Sequence, residues 1–150
     1  SFIFTAQSGF PTQVNSAANF DTTGTGISSR PDSVLGQNGD LDPGQRSWNK
    51  WFNTAAFAPA QLGRFGTSPR TDAFRLPGLV NVDFSATKAF HFGETRSFQF
   101  RSEMFNLFNH FNPDPQTVDT TINSKTFGAV GGGVQGITTR VIQLGGKFIF

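Results

Sequence analysis

Four stretches of the chain alternate apolar and polar side chains with a period of two, and the segments between them do not. Successive side chains of a strand point to opposite faces, so each stretch predicts a strand with one apolar and one wet face. The clearest spans residues 78–92, where Val80, Val82, Phe84, Ala86, Phe90 and Phe92 oppose Asn81, Asp83, Ser85, Thr87, Ala89 and His91. Lys88 is the exception on the apolar side, close to the short turn Gly93-Glu94-Thr95. A lysine near a membrane boundary can extend its ammonium to the headgroups, whereas at mid-bilayer it costs roughly 2 to 4 kcal/mol. The next predicted strand covers residues 96–110, with Phe98, Phe100 and Met104 against Ser97, Gln99, Arg101 and Glu103. It ends in FNLFNHFN, whose crowded aromatics read as a girdle at a membrane interface.

The two ends of the chain behave alike. Over residues 1–14, Phe2, Phe4 and Ala6 share one face and Ser1, Thr5 and Gln7 the other, with Ile3 out of pattern. Ser8-Gly9 reads as a bulge within this one long strand, because glycine in a strand pattern often marks such a site. Over residues 138–150, TTRVIQLGGKFIF, one face carries Ile142, Leu144, Phe148 and Phe150 with Gly146 among them. The other carries Gln143, Gly145 and Lys147 between Val141 and Ile149.

Residues 15–76 and 112–136 hold no sustained period and are rich in Gly, Pro, Ser, Thr, Asn and Asp, so both are expected to be long loops. Connections inside compact domains usually run about 4 to 6 residues, whereas the outer side of a membrane barrel tolerates far longer ones. Long and short connections alternate along the chain, as they do where short turns are periplasmic and long loops extracellular. The expected fold is therefore all-β: an antiparallel transmembrane β-barrel segment of about four long strands with two long extracellular loops. Trp48, Trp51 and Phe52, followed by Phe57 and Pro59, form an aromatic knot in the first loop. That cluster is a candidate for ligand contact or for packing of the loop, with packing the leading reading.

Composition narrows the function classes. The chain has 19 Phe, 17 Gly, no Tyr, no Cys and 15% charged residues, and its net charge is +2 without any run of Lys or Arg. So weak a basic balance argues against nucleic acid as a partner. Without cysteine there is no disulfide framework, thiolate metal site or thiol nucleophile. No apolar run of about 18 residues predicts a membrane-spanning helix. The start, SFIFTAQSGF, lacks the basic end and apolar core of a signal peptide, so an exported protein is met here in mature or truncated form.

Several short motifs invite chemistry and each has a plainer reading. Gly131-Gly132-Gly133-Val134-Gln135-Gly136 fits G-x-G-x-x-G, yet a dinucleotide site needs a strand before it and a helix opening in it, and here a strand follows. Asn38, Asp40 and Asp42 have the spacing of a calcium loop, but Pro43 and Asn49 stand where glycine and glutamate are needed, so turn chemistry is expected. Asp83, Arg101 and Glu103 are the charges placed on the wet face of the middle hairpin. Paired carboxylates can serve a hydrolase, whereas opposite charges facing each other across strands mildly stabilise a polar lumen wall; the second reading is preferred. His91 and His110 fall at opposite ends of neighbouring strands, which argues against a shared metal. No cofactor and no catalytic constellation are expected.

The segments WFNTAAFAPA (51–60), GRFGTSPRTDAFRLPGLVNVDFSATKAF (63–90), RSFQFRSEMFNLFNHFNP (96–113), TFGAV (126–130) and RVIQLGGKFIF (140–150) together resemble the C-terminal end of TonB-dependent outer-membrane receptors. The nearest branch is the Oar-like one, which carries a carboxypeptidase-regulatory-like N-terminal domain. The resemblance implies a bacterial outer-membrane barrel of about 22 strands, plugged by an N-terminal domain and importing a ligand with energy from the TonB complex. Neither the plug nor the TonB-contacting segment has a match here, so TonB would be met only through that missing part. What carries over is the terminal signal read by the barrel-assembly machinery, on Ile142, Leu144, Phe148 and Phe150. The other implied partners are outer-membrane lipid and a transported ligand whose identity these residues do not specify. Rival readings are a small complete barrel of about 8 strands acting as an adhesin or structural protein, and a soluble β-sandwich binding module that buries its phenylalanines against a second sheet.

Overall fold

A computed structural model of the chain describes residues 1–16, 21–26 and 29–150. Residues 17–20 and 27–28 of the expected first loop lie outside the described residues. Among the described residues the structure is all-β, with strands β1 (Phe2–Gln7), β2 (Pro11–Thr12), β3 (Asp32–Ser33), β4 (Phe57–Ala58), β5 (Phe74–Arg75), β6 (Leu79–Phe92), β7 (Arg96–Phe105) and β8 (Val141–Ile149), and three single-turn 3-10 helices. The chain divides into two units.

The first unit is a four-stranded antiparallel sheet in the order β1-β6-β7-β8. Paired residues of an antiparallel ladder share a face, so the register fixes what each surface carries. One face is built from Phe2, Phe4, Val80, Val82, Phe84, Phe90, Phe92, Phe98, Phe100, Met104, Ile142, Leu144 and Phe148. The opposite face collects Thr5, Asn81, Asp83, Ser85, Thr87, Gln99, Arg101, Glu103, Gln143 and Lys147. Gly93, at φ 78, makes the turn between β6 and β7, a backbone conformation open to glycine because it has no Cβ.

Two expected strands are shorter than their sequence pattern. Pairing with β6 ends at Gln7, and residues 11–12 pair with β5 instead. Equal numbers of residues separate Gln7 from Pro11 and Arg75 from Leu79, so neither chain carries the extra residue that a bulge requires. Gly9 serves a close approach: a Cβ there would fall 1.6 Å from the Leu76 carbonyl oxygen. At the other end, β7 stops at Phe105 and not at residue 110, because Asn106 turns into the left-handed region at φ 50.

The second unit, residues 8–78 and 114–132, packs the segments read as two long loops into one body. Its core gathers Val14, Phe52, Ala56, Phe57, Ala73, Phe74, Val118, Ile122 and Val130. Phe52 stacks on Phe74 with ring centroids 3.8 Å apart and meets Phe57 and Phe127 edge-on. Ladders of two residues, β2 with β5 and β3 with β4, and single bridges from Asn15 to Thr121 and Val118 to Val130 tie the segments. These pairings are too short to leave a period of two in the sequence.

Candidate functional site

Most of the apolar face of the sheet is exposed: Phe2 is 61% exposed, Leu144 67% and Phe148 57%, while Val82 is buried. A contiguous apolar surface of this kind marks a site of contact with a partner or with lipid. The rings gather at the turn end of the sheet, where Phe90 lies 6.4 Å from Phe98, Phe98 6.1 Å from Phe148, and Phe148 6.5 Å from Phe92. At the other end of β6 and β7 the aromatics of FNLFNHFN are also exposed, Phe105 at 38%, Phe108 at 72% and Phe111 at 40%. Ile142, Leu144 and Phe148 stand on this face of β8. Phe150 follows the last strand residue and is 93% exposed.

On the wet face, Asp83, Arg101 and Glu103 line a cavity of about 160 Å³ together with Ser1 and Ser85. Arg101 pairs with Glu103 along its own strand, which corrects the expected pairing across strands. The register explains it: Arg101 faces Thr87 and Gly145, and Glu103 faces Ser85 and Gln143, so no opposite charge is directly across. Asp83 accepts hydrogen bonds from Asn81 Nδ2 at 2.9 Å and from the Asn106 backbone N–H at 3.0 Å. The trio therefore forms a bonded polar wall, with one ion pair and one carboxylate engaged in structure.

Sequence reasoning missed an asparagine network beside that wall. Asn106 and Asn112 are fully buried. The Asn106 side chain accepts from the His110 N–H at 2.9 Å and donates to the carbonyls of His110 and Ile137 at 2.8 and 3.2 Å. Asn112 Oδ1 accepts from the Val80 N–H at 2.8 Å, and Asn109 Oδ1 accepts from the Arg140 N–H at 3.0 Å. Buried backbone groups need partners, and here asparagines supply them where the ladder ends. The signal was present as asparagine at positions 106, 109 and 112 inside the phenylalanine-rich run. His110 contacts this network through Nδ1, 3.3 Å from Asn112 Oδ1, while His91 sits opposite Ser97 near the turn.

In the second unit the aromatic knot separates by role. Phe52 is 1% exposed and belongs to the core. Trp51 is half-buried, donates its indole N–H to the Arg75 carbonyl at 3.0 Å, and carries the Arg46 guanidinium 5.2 Å from its ring centroid. Trp48 remains 46% exposed. A separate polar cavity of about 160 Å³ is lined by Ser33, Gln37, Asn38, Asp72 and neighbouring backbone. Asn38 Oδ1 accepts from the Asp40 N–H at 3.1 Å, and Asp40 Oδ1 accepts from the Arg75 N–H at 2.9 Å. The Asn38 oxygen serves a turn and the Asp40 oxygen a tie to the distant Arg75 backbone, and among the described residues no group of three or more His, Cys, Asp or Glu is placed to hold a metal. The glycine run is likewise structural. Gly131 and Gly132 donate their N–H groups to Thr117, and a Cβ on Gly133 would lie 2.4 Å from the Phe111 ring.

Two carboxylates of the second unit are held below the ordinary range. Asp21 is lowered first by the Thr23 N–H, with further bonds from Gly26, the Thr23 hydroxyl and Gly24 outweighing its desolvation. For Asp119 the largest influence is burial, which acts upward, but bonds from the Ser124 hydroxyl, the Thr121 N–H and the Thr126 hydroxyl together bring it down.

A family model described as "Outer membrane beta barrel domain" matches residues 1–143. The match stops before Leu144, so the last residues of β8 fall beyond it. No curated protein and no solved structure matches the chain.

Proposed function

Because the chain belongs to the outer membrane β-barrel domain family, we propose that it forms the closing strands of a TonB-dependent receptor of the Oar-like branch. Its place in the bacterial outer membrane follows from the family. With lipid on one side and water on the other, the two-faced sheet has the environment its alternation requires. The observation that carries the finer reading is the ordered series of five segments resembling the C-terminal end of such receptors, ending in the strand Val141–Ile149.

In this reading the protein transports and does not catalyse. β8 and β1 are the edges of the sheet, and an unpaired edge is not tolerated in a bilayer. Pairing of these edges with the remaining strands of a full receptor closes the barrel. The turn at Gly93 faces the periplasm and the long connections of residues 15–76 and 112–136 are the extracellular loops, with the polar cavity beside Ser33 and Asp72 open to arriving ligand. Ile142, Leu144, Phe148 and Phe150 form the signal for the barrel-assembly machinery, and TonB engages a plug outside this chain.

The test is retention of the full-length outer-membrane protein on an immobilised periplasmic domain of TonB. Specific retention that is lost when residues upstream of the barrel are deleted is expected. A correctly inserted, heat-modifiable barrel that shows no retention would replace the receptor reading with that of an adhesin or structural barrel.

A further inference from the structure

The lipid-facing surface of the sheet carries two cations and no acid. Lys88 stands opposite Phe100, and Arg96 opposite Phe92, while every other paired position on that face of β1, β6, β7 and β8 is apolar, glycine or serine. Both side chains are exposed. Neither takes part in an ion pair among the described residues. A cation on the lipid side of a barrel is costly away from the interface, so the pair requires an anion or water within reach.

Their positions choose between these. Lys88 stands four residue steps along β6 from the Phe92–Arg96 pair, about 13 Å at roughly 3.3 Å per residue and about 10 Å of depth at the usual strand tilt. Between those two levels lie the rings of Phe90, Phe98 and Phe148. An aromatic belt sits at the headgroup level. Lys88 therefore starts on the hydrocarbon side of the belt and extends toward it, and Arg96 starts on the water side. A group between them meets an ammonium from one side, a guanidinium from the other, and aromatic faces beneath its acyl chains. Guanidinium matches phosphate geometry with two parallel hydrogen bonds.

We propose that Lys88 and Arg96 form a binding site for the anionic headgroup of a phospholipid in the leaflet that meets the β6–β7 turn. The occupant is a phospholipid with net negative charge. The belt requires acyl chains beside the phosphate, which free phosphate lacks. The proposal rests on the orientation given above only for the choice of the periplasmic leaflet, and it does not depend on TonB.

The experiment uses the full-length protein carrying this chain, reconstituted in nanodiscs of phosphatidylcholine with or without phosphatidylglycerol, and released for native mass spectrometry. Heat-modifiable migration verifies a folded barrel in every sample. Preferential retention of phosphatidylglycerol is expected, with a loss of about fivefold for each of Lys88→Gln and Arg96→Gln. Lys147→Gln, on the wet face, should leave retention unchanged. Lys88→Leu removes a cation from an apolar surface and so secures folding, and it should weaken the preference as far as Lys88→Gln does, about fivefold. Equal retention of both lipids by the wild-type protein, or a preference undiminished in Lys88→Leu, would overturn the proposal. In further nanodiscs that contain lipid A beside phosphatidylglycerol, selective retention of lipid A would overturn both the site and the assigned leaflet, while leaving the barrel itself intact.

Discussion

The ring of Phe98 covers Gly146 on the neighbouring strand. A Cβ built on Gly146 would lie 3.1 Å from Phe98 Cε2 and 3.2 Å from Cζ. The register pairs Phe98 with Phe148 and Gly146 with Phe100, so the ring leans diagonally onto bare backbone. Such shielding of a strand glycine by a cross-strand aromatic offsets part of the glycine's weakness in a sheet.

A double-mutant cycle measures that contact. Phe98→Leu in the wild-type background should cost more than Phe98→Leu beside Gly146→Ala, with a coupling of about 0.5 kcal/mol. The readout is urea unfolding of the inserted full-length protein. Additive effects would mean that the ring is held by Phe90 and Phe148 alone.

Asn106 joins a left-handed backbone to three buried side-chain hydrogen bonds. Asn106→Ala leaves the N–H and carbonyl of His110 and the carbonyl of Ile137 without these partners, and replaces asparagine, which tolerates the left-handed region, with a residue that does not. A loss of about 3 kcal/mol is expected. Asn106→Gly should recover about 1 kcal/mol of it by relieving the backbone while restoring no bond. Equal stability of the two variants in urea unfolding would remove the backbone from the account.

In the second unit, Phe52 and Trp48 predict opposite outcomes. Truncating the buried, stacked Phe52 to alanine should cost about 3 to 5 kcal/mol and expose the unit to protease on intact cells. Trp48→Ala removes a ring that is 46% exposed and should leave protease resistance nearly as in wild type. A Trp48 variant that loses ligand uptake while keeping its resistance would return that residue to ligand contact.

Acid should loosen the turn around Asp119. Its carboxyl is held below the ordinary value of 3.8 by donors from Ser124, Thr121 and Thr126. A depressed folded pKa contributes stability that is present above the unfolded value and lost as pH falls through the folded one. Protection of the Thr121 amide, taken relative to its intrinsic exchange rate at each pH, should therefore fall as pH drops below the ordinary value of 3.8, and Asp119→Asn should flatten that dependence. An identical pH profile in the two proteins would show that the carboxylate does not hold the turn.

The sheet was legible in the sequence because two solvents impose its pattern. Val80 to Phe92 and Ile142 to Phe148 meet lipid on one side, and Asn81 to His91 meet water on the other, so the period of two survives without any knowledge of partners. The second unit left no such trace. Its core joins Val14, Phe52 and Phe74 to Val118, Ile122 and Val130, residues irregularly spaced and far apart in the chain. The ends of β1 and β7 were misplaced for a related reason. Phe10 keeps the parity of β1, and the aromatics of FNLFNHFN read as more of β7 although alternation already breaks there, while the backbone is diverted by the close pass at Gly9 and the left-handed turn at Asn106. Among the site residues, Arg101 and Glu103 were placed on the wet face, but their pairing along one strand depended on a register that the sequence does not display.

The last residue separates assembly from stability. Phe150 lies outside β8 and is 93% exposed, so its ring contributes little to the folded sheet. Phe148 differs, since its ring lies 6.1 Å from that of Phe98 and 6.5 Å from that of Phe92. If Phe150 is read by the assembly machinery, Phe150→Ala in the full-length outer-membrane protein should lower outer-membrane abundance several-fold, while the molecules that do insert unfold at the wild-type urea concentration. Phe148→Ala should lower both quantities, because it removes the signal and about 1 kcal/mol of ring contact together. Surface labelling counts inserted protein, and urea unfolding of the extracted barrel reports its stability. Unchanged abundance for Phe150→Ala would remove the assembly role from this residue and leave the exposed ring as one more lipid contact.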